Sequence, residues 1–186
     1  MMSASLETES KSKMKPFIIE CIFYLILLVL CIYAVPEYVI QRTVVKGASM
    51  ENTLHTGESL LVEKVTKHFK NPGRFDIIVF SPHNFEDDEL YVKRVIGLPG
   101  ETVQIKDHKI LINGEAIDDS YAKGETVESG IAAEPITLKE DEFFVLGDNR
   151  GISLDSRSPN LGAIKKESIA GKAIFRIWPV SKIGIP

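Results

Sequence analysis

An uninterrupted apolar stretch near the N-terminus limits what this chain can fold into more than any other feature. Residues 17–35 read FIIECIFYLILLVLCIYAV, and Glu20 is their only charged side chain. As an α-helix, a stretch of this length would extend about 28 Å, close to the hydrocarbon thickness of a bilayer. A helix in the core of a soluble protein carries a polar stripe, which this stretch lacks. We therefore predict a membrane-spanning helix.

A cleaved secretory signal is an alternative explanation of the same stretch. The apolar region of such a signal usually has about 7–15 residues and is followed by a cleavage site with small side chains. Cleavage after Ala34 would place Ile32 at the third residue before the cut, where a small side chain is required. We expect an uncleaved anchor, with a retained signal peptide as the alternative.

Three lysines just before the stretch predict its orientation. Lys11, Lys13 and Lys15 favour the cytoplasmic side of the membrane, whereas nearby acidic residues contribute little. We therefore expect a single-pass protein of the cell membrane. Its predicted parts are a cytoplasmic tail, a transmembrane anchor and an extracytoplasmic domain, at residues 1–16, 17–35 and 36–186.

Charge and cysteine content exclude several classes of protein. The chain has 22 lysines and arginines against 26 aspartates and glutamates, a formal net charge of −4. It lacks the basic excess that binds a phosphate backbone, so we expect no nucleic acid among its partners. Cys21 and Cys31 both lie in the apolar stretch, which leaves the domain without a disulfide or a cysteine zinc site. The four histidines, His55, His68, His83 and His108, lack metal-ligand spacing. His68 and His83 lie in polar segments, where we expect solvated surface side chains.

Residues 36–186 are predicted to form a mainly β domain. Their apolar runs are short, rich in β-branched and aromatic residues, and separated by turn sequences. The runs are TVV (43–45), SLLVEKV (59–65), FDIIVF (75–80), LYVKRVI (90–96), ETVQI (101–105), KILI (109–112), FFVL (143–146) and IAGKAIFRIW (169–178). Asn113-Gly114 is typical of a two-residue hairpin turn, because both residues tolerate a positive φ. The pattern favours a coiled, barrel-like antiparallel sheet, with the polar residues 118–142 as a surface excursion.

Ser49 is the first candidate for nucleophilic catalysis. It follows the small pair Gly47-Ala48 at the end of a predicted strand, where a substrate backbone can approach closely. The chain has no Gly-x-Ser-x-Gly elbow, and Asn52 stands where a Ser-x-x-Lys motif would need lysine. Composition alone leaves a Ser-His-Asp triad open.

A lysine beside an arginine on a predicted strand is the second candidate. Since side chains alternate along a strand, Lys93 and Arg94 lie on opposite faces, and both faces are largely apolar. At least one of these cations is therefore partly buried. Burial lowers the pKa of a lysine toward neutrality, as a general base requires, whereas arginine stays protonated. The alternative is that Lys93 extends its charge to solvent from an ordinary edge strand.

A third stretch, LGDNRGISLDSR at residues 146–157, is dense in hydrogen-bonding side chains directly after an apolar run. Two interpretations of this stretch are open. One is a turn held by Asp–Arg pairs. The other is a site that fixes a catalytic group through a hydroxyl such as that of Ser153.

Together these stretches resemble type I signal peptidases, the bacterial leader peptidases, in their short Gram-positive form. The matching motifs occur in the family's order between Gly47 and Arg157. They are GASM with the TL that follows (47–54), RFDIIVF (74–80), YVKRVIGLPG (91–100), GDNR (147–150) and SLDSR (153–157). The resemblance implies a membrane-bound serine endopeptidase of mainly β fold that removes signal peptides from exported preproteins.

The resemblance also implies a mechanism. Ser49 matches the nucleophile, Lys93 the general base and Ser153 the hydroxyl that orients the lysine. Such a pair forms an acyl-enzyme and needs neither metal nor cofactor. Cleavage is expected after small-x-small sites. We expect a monomer whose partners are signal-peptide-bearing preproteins and the lipid bilayer.

Further positions match residues that support the family's site. Asp155 and Arg157 match a structural ion pair, and Gly147 matches a position packed against the catalytic groups. Met50 falls in the family's membrane-facing, substrate-binding region. Asn52 departs from the family, which usually has proline there.

A second departure concerns the oxyanion. Gly47 replaces a serine that donates to the oxyanion in some relatives, so the Ser49 N–H is the one donor that the resemblance assigns.

Two other interpretations stay open. One is a self-cleaving Ser-Lys protease of the SOS-repressor kind, although such proteins carry a DNA-binding domain in place of an anchor. The other is a membrane-tethered β domain that binds a peptide or wall component without catalysis. The only sequence feature that argues against an inactive relative of the family is the presence of both Ser49 and Lys93.

Overall fold

The computed structural model describes residues 2–82, 89–126 and 128–186, with the backbone alone for residues 2–16 and Pro36. His83, predicted to be a solvated surface histidine, lies outside these ranges. The chain divides into two compact units, one ending at Val39 and the other beginning at Ile40.

The N-terminal unit is one long helix, α1 (Met2–Ala34), followed by a π-helical turn at Val35–Val39. Within α1, Phe17–Ala34 has a mean hydropathy of 2.7 over 18 residues, and none of this window is buried against the rest of the described chain. Its apolar side chains are exposed on every side of the helix. The helix is long and apolar enough to cross a membrane.

The second unit is built from short strands. Within the ranges described, eleven are present: β1 (Ile40–Val44), β2 (Ser59–Glu63), β3 (Ile77–Phe80), β4 (Tyr91–Gly97), β5 (Thr102–Lys106), β6 (Lys109–Ile112), β7 (Glu115–Ala116), β8 (Ile136–Thr137), β9 (Glu142–Leu146), β10 (Ile164–Lys165) and β11 (Ile169–Trp178). Short 3₁₀ turns lie at Thr66–His68, Gly130–Ala133, Lys166–Ser168 and Val180–Lys182.

These strands form two antiparallel sheets. One has the order β1-β2-β11-β3-β4-β9-β10 and the other the order β7-β6-β5-β8. Bulges interrupt the pairing of β11 with both of its neighbours and of β4 with β9, and bulges bend the strands that carry them. The predicted fold class, a curled antiparallel β domain behind one N-terminal apolar helix, is confirmed.

Two tight turns connect three strands of the smaller sheet. Asn113 and Gly114 have φ angles of 53° and 84° and join β6 to β7 as predicted. Asp107 and His108, with φ angles of 50° and 61°, join β5 to β6 in the same way. The second turn was not predicted, because Asp-His is a weaker signal than Asn-Gly for a turn with two positive φ angles.

The central strand β3 is buried on both faces and separates two core clusters. Ile77 and Val79 pack with Met50 on one side, while Ile78 and Phe80 pack on the other side. A third cluster lies between β4, β9 and the smaller sheet. The residue that follows Ser49 is thus fixed in the core of the larger sheet.

Residues 118–142 lie only partly at the surface. They contain the 3₁₀ turn Gly130–Ala133 and the strand β8, which pairs with β5. Ala132 and Leu138 are almost completely buried and belong to the core cluster beneath the smaller sheet. Isolated apolar residues in a polar context give no periodic signal, which is why the sequence pattern did not indicate this packing.

Candidate active site

Ser49 lies in the turn that follows β1. The Val45 N–H donates a hydrogen bond of 2.8 Å to the Glu58 carbonyl and fixes the entrance of this turn. Gly47 has a φ of +83°, in the left-handed region that favours glycine. Met50, only 2% exposed, fixes the other side of the turn in the core. The serine is therefore held between an ordered strand end and a packed side chain.

Lys93 reaches Ser49 from β4. Its side chain is 4% exposed, and its Nζ donates a hydrogen bond of 2.8 Å to Ser49 Oγ. Burial lowers the pKa of Lys93 from 10.5 to about 8, and the negative charges of Asp155 and Asp148 oppose part of this lowering. An amine with this pKa is neutral in a substantial fraction of molecules at mildly alkaline pH, so it can accept a proton.

The adjacent cation, Arg94, is equally buried but fully paired. Its Nε and Nη2 donate to the Asp148 carboxylate at 2.9 and 2.7 Å, and its Nη1 donates to the Phe75 carbonyl at 2.8 Å. The ring of Tyr121 covers the guanidinium at 3.8 Å. By contrast, no carboxylate in the described ranges forms an ion pair with Lys93. The sequence predicted that at least one of these cations is partly buried, and the structure buries both. Arg94 is held as a charged ion pair, whereas Lys93 has no counter-charge bonded to it among the residues that the structure describes.

The Ser49 turn rests on residues 147–149, which follow β9. Asn149 donates its backbone N–H to the Ser49 carbonyl at 3.0 Å and its Nδ2 to the Ala48 carbonyl at 3.1 Å. A Cβ on Gly147 would lie 2.5 Å from the Ser49 carbonyl oxygen and would overlap Ser153 Oγ. Only glycine allows this close approach of the two backbones.

The remaining residues of the third stretch form a buried network behind Gly147. Asp155 accepts from Arg157 Nε at 2.8 Å and Nη2 at 2.9 Å, and from the Gly147 N–H at 3.1 Å. Ser153 Oγ is buried against Gly147 and has no hydrogen-bond partner in the described part of the chain. The structure therefore brings Ser153 to the site without a hydrogen bond to Lys93.

A cleft of about 580 Å³ opens onto the serine and the lysine. Two chain segments, residues 43–50 and 89–93, line its sides, and Ile152 and Leu154 also contribute. Ile152 is 64% exposed and Val44 is 47% exposed, so the cleft presents apolar surface to solvent. An extended peptide fits between two such segments, because their backbone groups can pair with it.

Two residues that hold the site, Asn149 and Tyr121, were not predicted to do so from the sequence. Asn149 was part of a quoted motif but had no predicted role, and Tyr121 lies in the polar stretch interpreted as an excursion. Asn149 and Ala48 are 101 residues apart in the chain. No local pattern signals such contacts, although the crowding of hydrogen-bonding residues at 146–157 was a partial signal.

A serine hydroxyl beside a buried lysine, in a cleft of a β domain that follows an apolar helix, defines a candidate membrane-associated serine protease. The family model described as signal peptidase, peptidase S26, matches residues 18–178. The chain belongs to this family. It is therefore a serine endopeptidase of the kind that removes signal peptides from preproteins, and its N-terminal apolar helix fits a membrane anchor.

Individual relatives agree with this assignment. Signal peptidase I of Leptolyngbya laminosa is 39% identical over 153 residues, which cover 79% of this chain and 73% of the relative. Signal peptidase I of Bacillus licheniformis is 35% identical over 184 residues, covering 95% and 97%. Signal peptidase I S of Bacillus subtilis (strain 168) is 33% identical over 186 residues, covering 96% and 98%. A signal peptidase I from Enterococcus faecalis, known from a crystal structure, has 37% sequence identity to this chain and a TM-score of 0.44. The match covers 55% of this chain and 97% of the Enterococcus chain.

Proposed function

We propose that Ser49 and Lys93 are the catalytic pair with which this enzyme cleaves signal peptides from preproteins. The observation that carries the proposal is the 2.8 Å hydrogen bond from Lys93 Nζ to Ser49 Oγ. Burial supports it as well, since an amine with a pKa of about 8 can act as a general base and an ordinary lysine cannot.

The reaction follows from this geometry. Neutral Lys93 accepts the hydroxyl proton as Ser49 Oγ attacks the scissile carbonyl carbon, and the carbonyl oxygen becomes an oxyanion. We assign the Ser49 backbone N–H as a donor to that oxyanion. The Lys93 ammonium then protonates the departing amine, which leaves an acyl-enzyme. Water, deprotonated by the same lysine, hydrolyses the ester and restores Ser49.

Four residues are proposed to support the pair. Residues 147–149 form the floor of the site. Gly147 allows this floor to approach the Ser49 turn closely, and the ion pair of Asp155 with Arg157 holds the floor. Ser153, whose hydroxyl is buried beside Gly147, is proposed to orient the lysine during the reaction.

Specificity for small-x-small sites is proposed to come from the cleft. An extended substrate pairing with its sides would direct alternate side chains at shallow apolar walls, where larger side chains overlap with the protein. Met50 lines the cleft and is packed into the core, which leaves it little room to move aside. We therefore expect the substrate side chain next to it to be small.

The arrangement in the membrane is also part of the proposal. Residues 17–35 cross the bilayer once, residues 1–16 stay in the cytoplasm, and residues 36–186 act as a monomer on its outer side. The apolar window Phe17–Ala34 and the preceding lysines support this arrangement.

Replacement of each member of the pair tests the mechanism. We expect Ser49→Ala and Lys93→Ala to abolish cleavage of a preprotein with an Ala-x-Ala site, by several orders of magnitude in kcat. Lys93→Arg should fail as well, because the charge is kept while the basicity is lost. Lys64→Arg, at another position, is the matched control and should cleave normally. Near-normal turnover by folded Lys93→Arg would exclude lysine as the base.

A further inference from the structure

Arg150 joins the floor of the site to a carboxylate that belongs to none of the family-like motifs. Its side chain is completely buried, and its Nε donates to the Gly147 carbonyl at 2.9 Å. Its Nη1 forms an ion pair with Asp119 and also donates to Thr126 Oγ1 at 3.0 Å. Within the described ranges, Asp119 is the only acidic partner of this guanidinium. Because a buried cation needs a counter-charge, Asp119 determines where Arg150 can lie.

Gly147 is the point at which this ion pair reaches the catalytic groups. Its N–H donates to Asp155 and its carbonyl accepts from Arg150, so charged groups hold the peptide units on both sides. The close approach of Gly147 to the Ser49 carbonyl means that a displaced Gly147 would displace the nucleophile. A misplacement of about 1 Å at a reacting group can slow catalysis a hundredfold.

The residues after Asp119 contact the same region independently. The backbone N–H of Lys123 donates to the Asp148 carbonyl at 2.7 Å, which adds a bond to the floor. Lys123 Nζ donates to Glu51 at 3.1 Å, two residues beyond the nucleophile. Tyr121, which lies between Asp119 and Lys123 in the sequence, packs its ring over the Arg94 guanidinium. This segment therefore connects the floor, the nucleophile turn and the strand that carries Lys93.

We propose that Asp119 is a positioning residue of the protease: by balancing the charge of Arg150, it fixes Gly147 against the turn that carries Ser49. The proposal rests on the proposed function, since it assumes that Ser49 is the nucleophile. It gives the polar segment that begins at Asp119 a role in catalysis rather than that of a surface excursion.

The first experiment removes the charge of Asp119 with little change in shape. We expect Asp119→Asn to lower kcat by roughly tenfold to a hundredfold, with KM for a preprotein peptide changed less than about twofold. Rates are measured in the full-length enzyme, well below its unfolding midpoint. Asp118→Asn removes the same charge at the exposed neighbouring residue and should match the wild type. Wild-type kcat in Asp119→Asn, or an equal loss in Asp118→Asn, would overturn the proposal.

Further variants test whether Asp119 acts through Arg150. If it does, Arg150→Gln and the double variant Asp119→Asn/Arg150→Gln should have the same kcat, because the carboxylate has nothing left to position. Asp119→Glu should restore at least half of the activity lost in Asp119→Asn. The double variant contains no unbalanced buried charge, so it keeps the test available if Asp119→Asn does not fold. Independent, multiplicative effects of the two substitutions would contradict the proposal.

Hydrogen exchange separates this proposal from the proposed function. The amides of Gly147 and Asn149 donate to Asp155 and Ser49, and both should exchange at least tenfold faster in Asp119→Asn than in Asp118→Asn. Unchanged exchange would refute the positioning role even in an active enzyme. Cleavage by Ser49→Ala would refute the nucleophile assignment and leave the exchange result standing.

Discussion

At the scale of single residues, the site depends on two neighbouring cations that differ in their partners. Arg94 is neutralised by Asp148, whereas Lys93 is buried and donates its hydrogen bond to the uncharged Ser49 hydroxyl. Burial without a carboxylate partner disfavours the ammonium form, which is why the pKa of Lys93 falls to about 8. Two neighbouring positions of one strand thus have different roles: Arg94 forms a buried ion pair, and Lys93 is available for proton transfer.

The lowered pKa of Lys93 predicts the pH dependence of cleavage. Only the neutral amine accepts the proton of Ser49, so kcat/KM should rise about tenfold per pH unit below the pKa and level off above about pH 8. Asp155→Asn should move this limb to lower pH, because the carboxylate that favours the ammonium is gone. The measurement is kcat/KM for a preprotein peptide between about pH 6 and about pH 10.

A histidine-free variant is the control for that profile. Replacement of His55, His68, His83 and His108 should leave the limb where it was, since it belongs to the lysine. Loss of the limb in this variant would make a histidine the base. A flat profile in the wild type would contradict a general base with a pKa of about 8.

At the scale of structural elements, the site is formed by the end of β1, the middle of β4 and the turn after β9. Asn149 donates hydrogen bonds to the carbonyls of Ala48 and Ser49, one on each side of the Ser49 Cα, so the turn after β9 holds the nucleophile turn in place. The ion pairs Asp155–Arg157 and Arg150–Asp119 in turn hold the turn after β9. We therefore expect the position of Ser49 to depend on charges that lie outside the lining of the cleft.

Gly147→Ala should disable the enzyme through the turn after β9. The added Cβ would lie 2.5 Å from the Ser49 carbonyl oxygen, so one of the two turns must move. We expect a loss of about 1–3 kcal/mol in the free energy of unfolding, and a fall in kcat of roughly a hundredfold. Gly151→Ala is the matched control, since a Cβ there meets nothing within 4 Å. Denaturant midpoints and cleavage rates of both variants check the expectation. Equal behaviour of the two variants would contradict it.

The strands were predictable because their signal is local. Runs such as FDIIVF and LYVKRVI are short and rich in β-branched and aromatic residues, and both contain strand residues in the structure. The Asp107-His108 turn and the buried Leu138 were not predictable, because neither belongs to a strong local pattern. The tertiary packing of the smaller sheet decides both.

At the scale of the whole molecule, the chain consists of an apolar helix and a β domain with different features. The window Phe17–Ala34 of the helix carries no polar stripe, and the domain carries the serine, the lysine and the cleft. The sequence indicated this division and the candidates Ser49 and Lys93. It did not indicate Asp119 or Asn149, since their contacts join segments many residues apart and depend on the completed fold.

Topology is the prediction that belongs to the molecule as a whole. Lys11, Lys13 and Lys15 precede the apolar window, and basic flanks are retained in the cytoplasm. A tag placed before Lys11 should therefore resist protease added to intact cells or to sealed right-side-out vesicles, while a C-terminal tag is removed or accessible. Permeabilised membranes, in which both tags become accessible, provide the control. Replacement of the three lysines by glutamine should give a mixed orientation, because the charge asymmetry is lost. An accessible N-terminal tag with a protected C-terminal tag would reverse the proposed arrangement and would place the catalytic cleft on the side where preproteins are made.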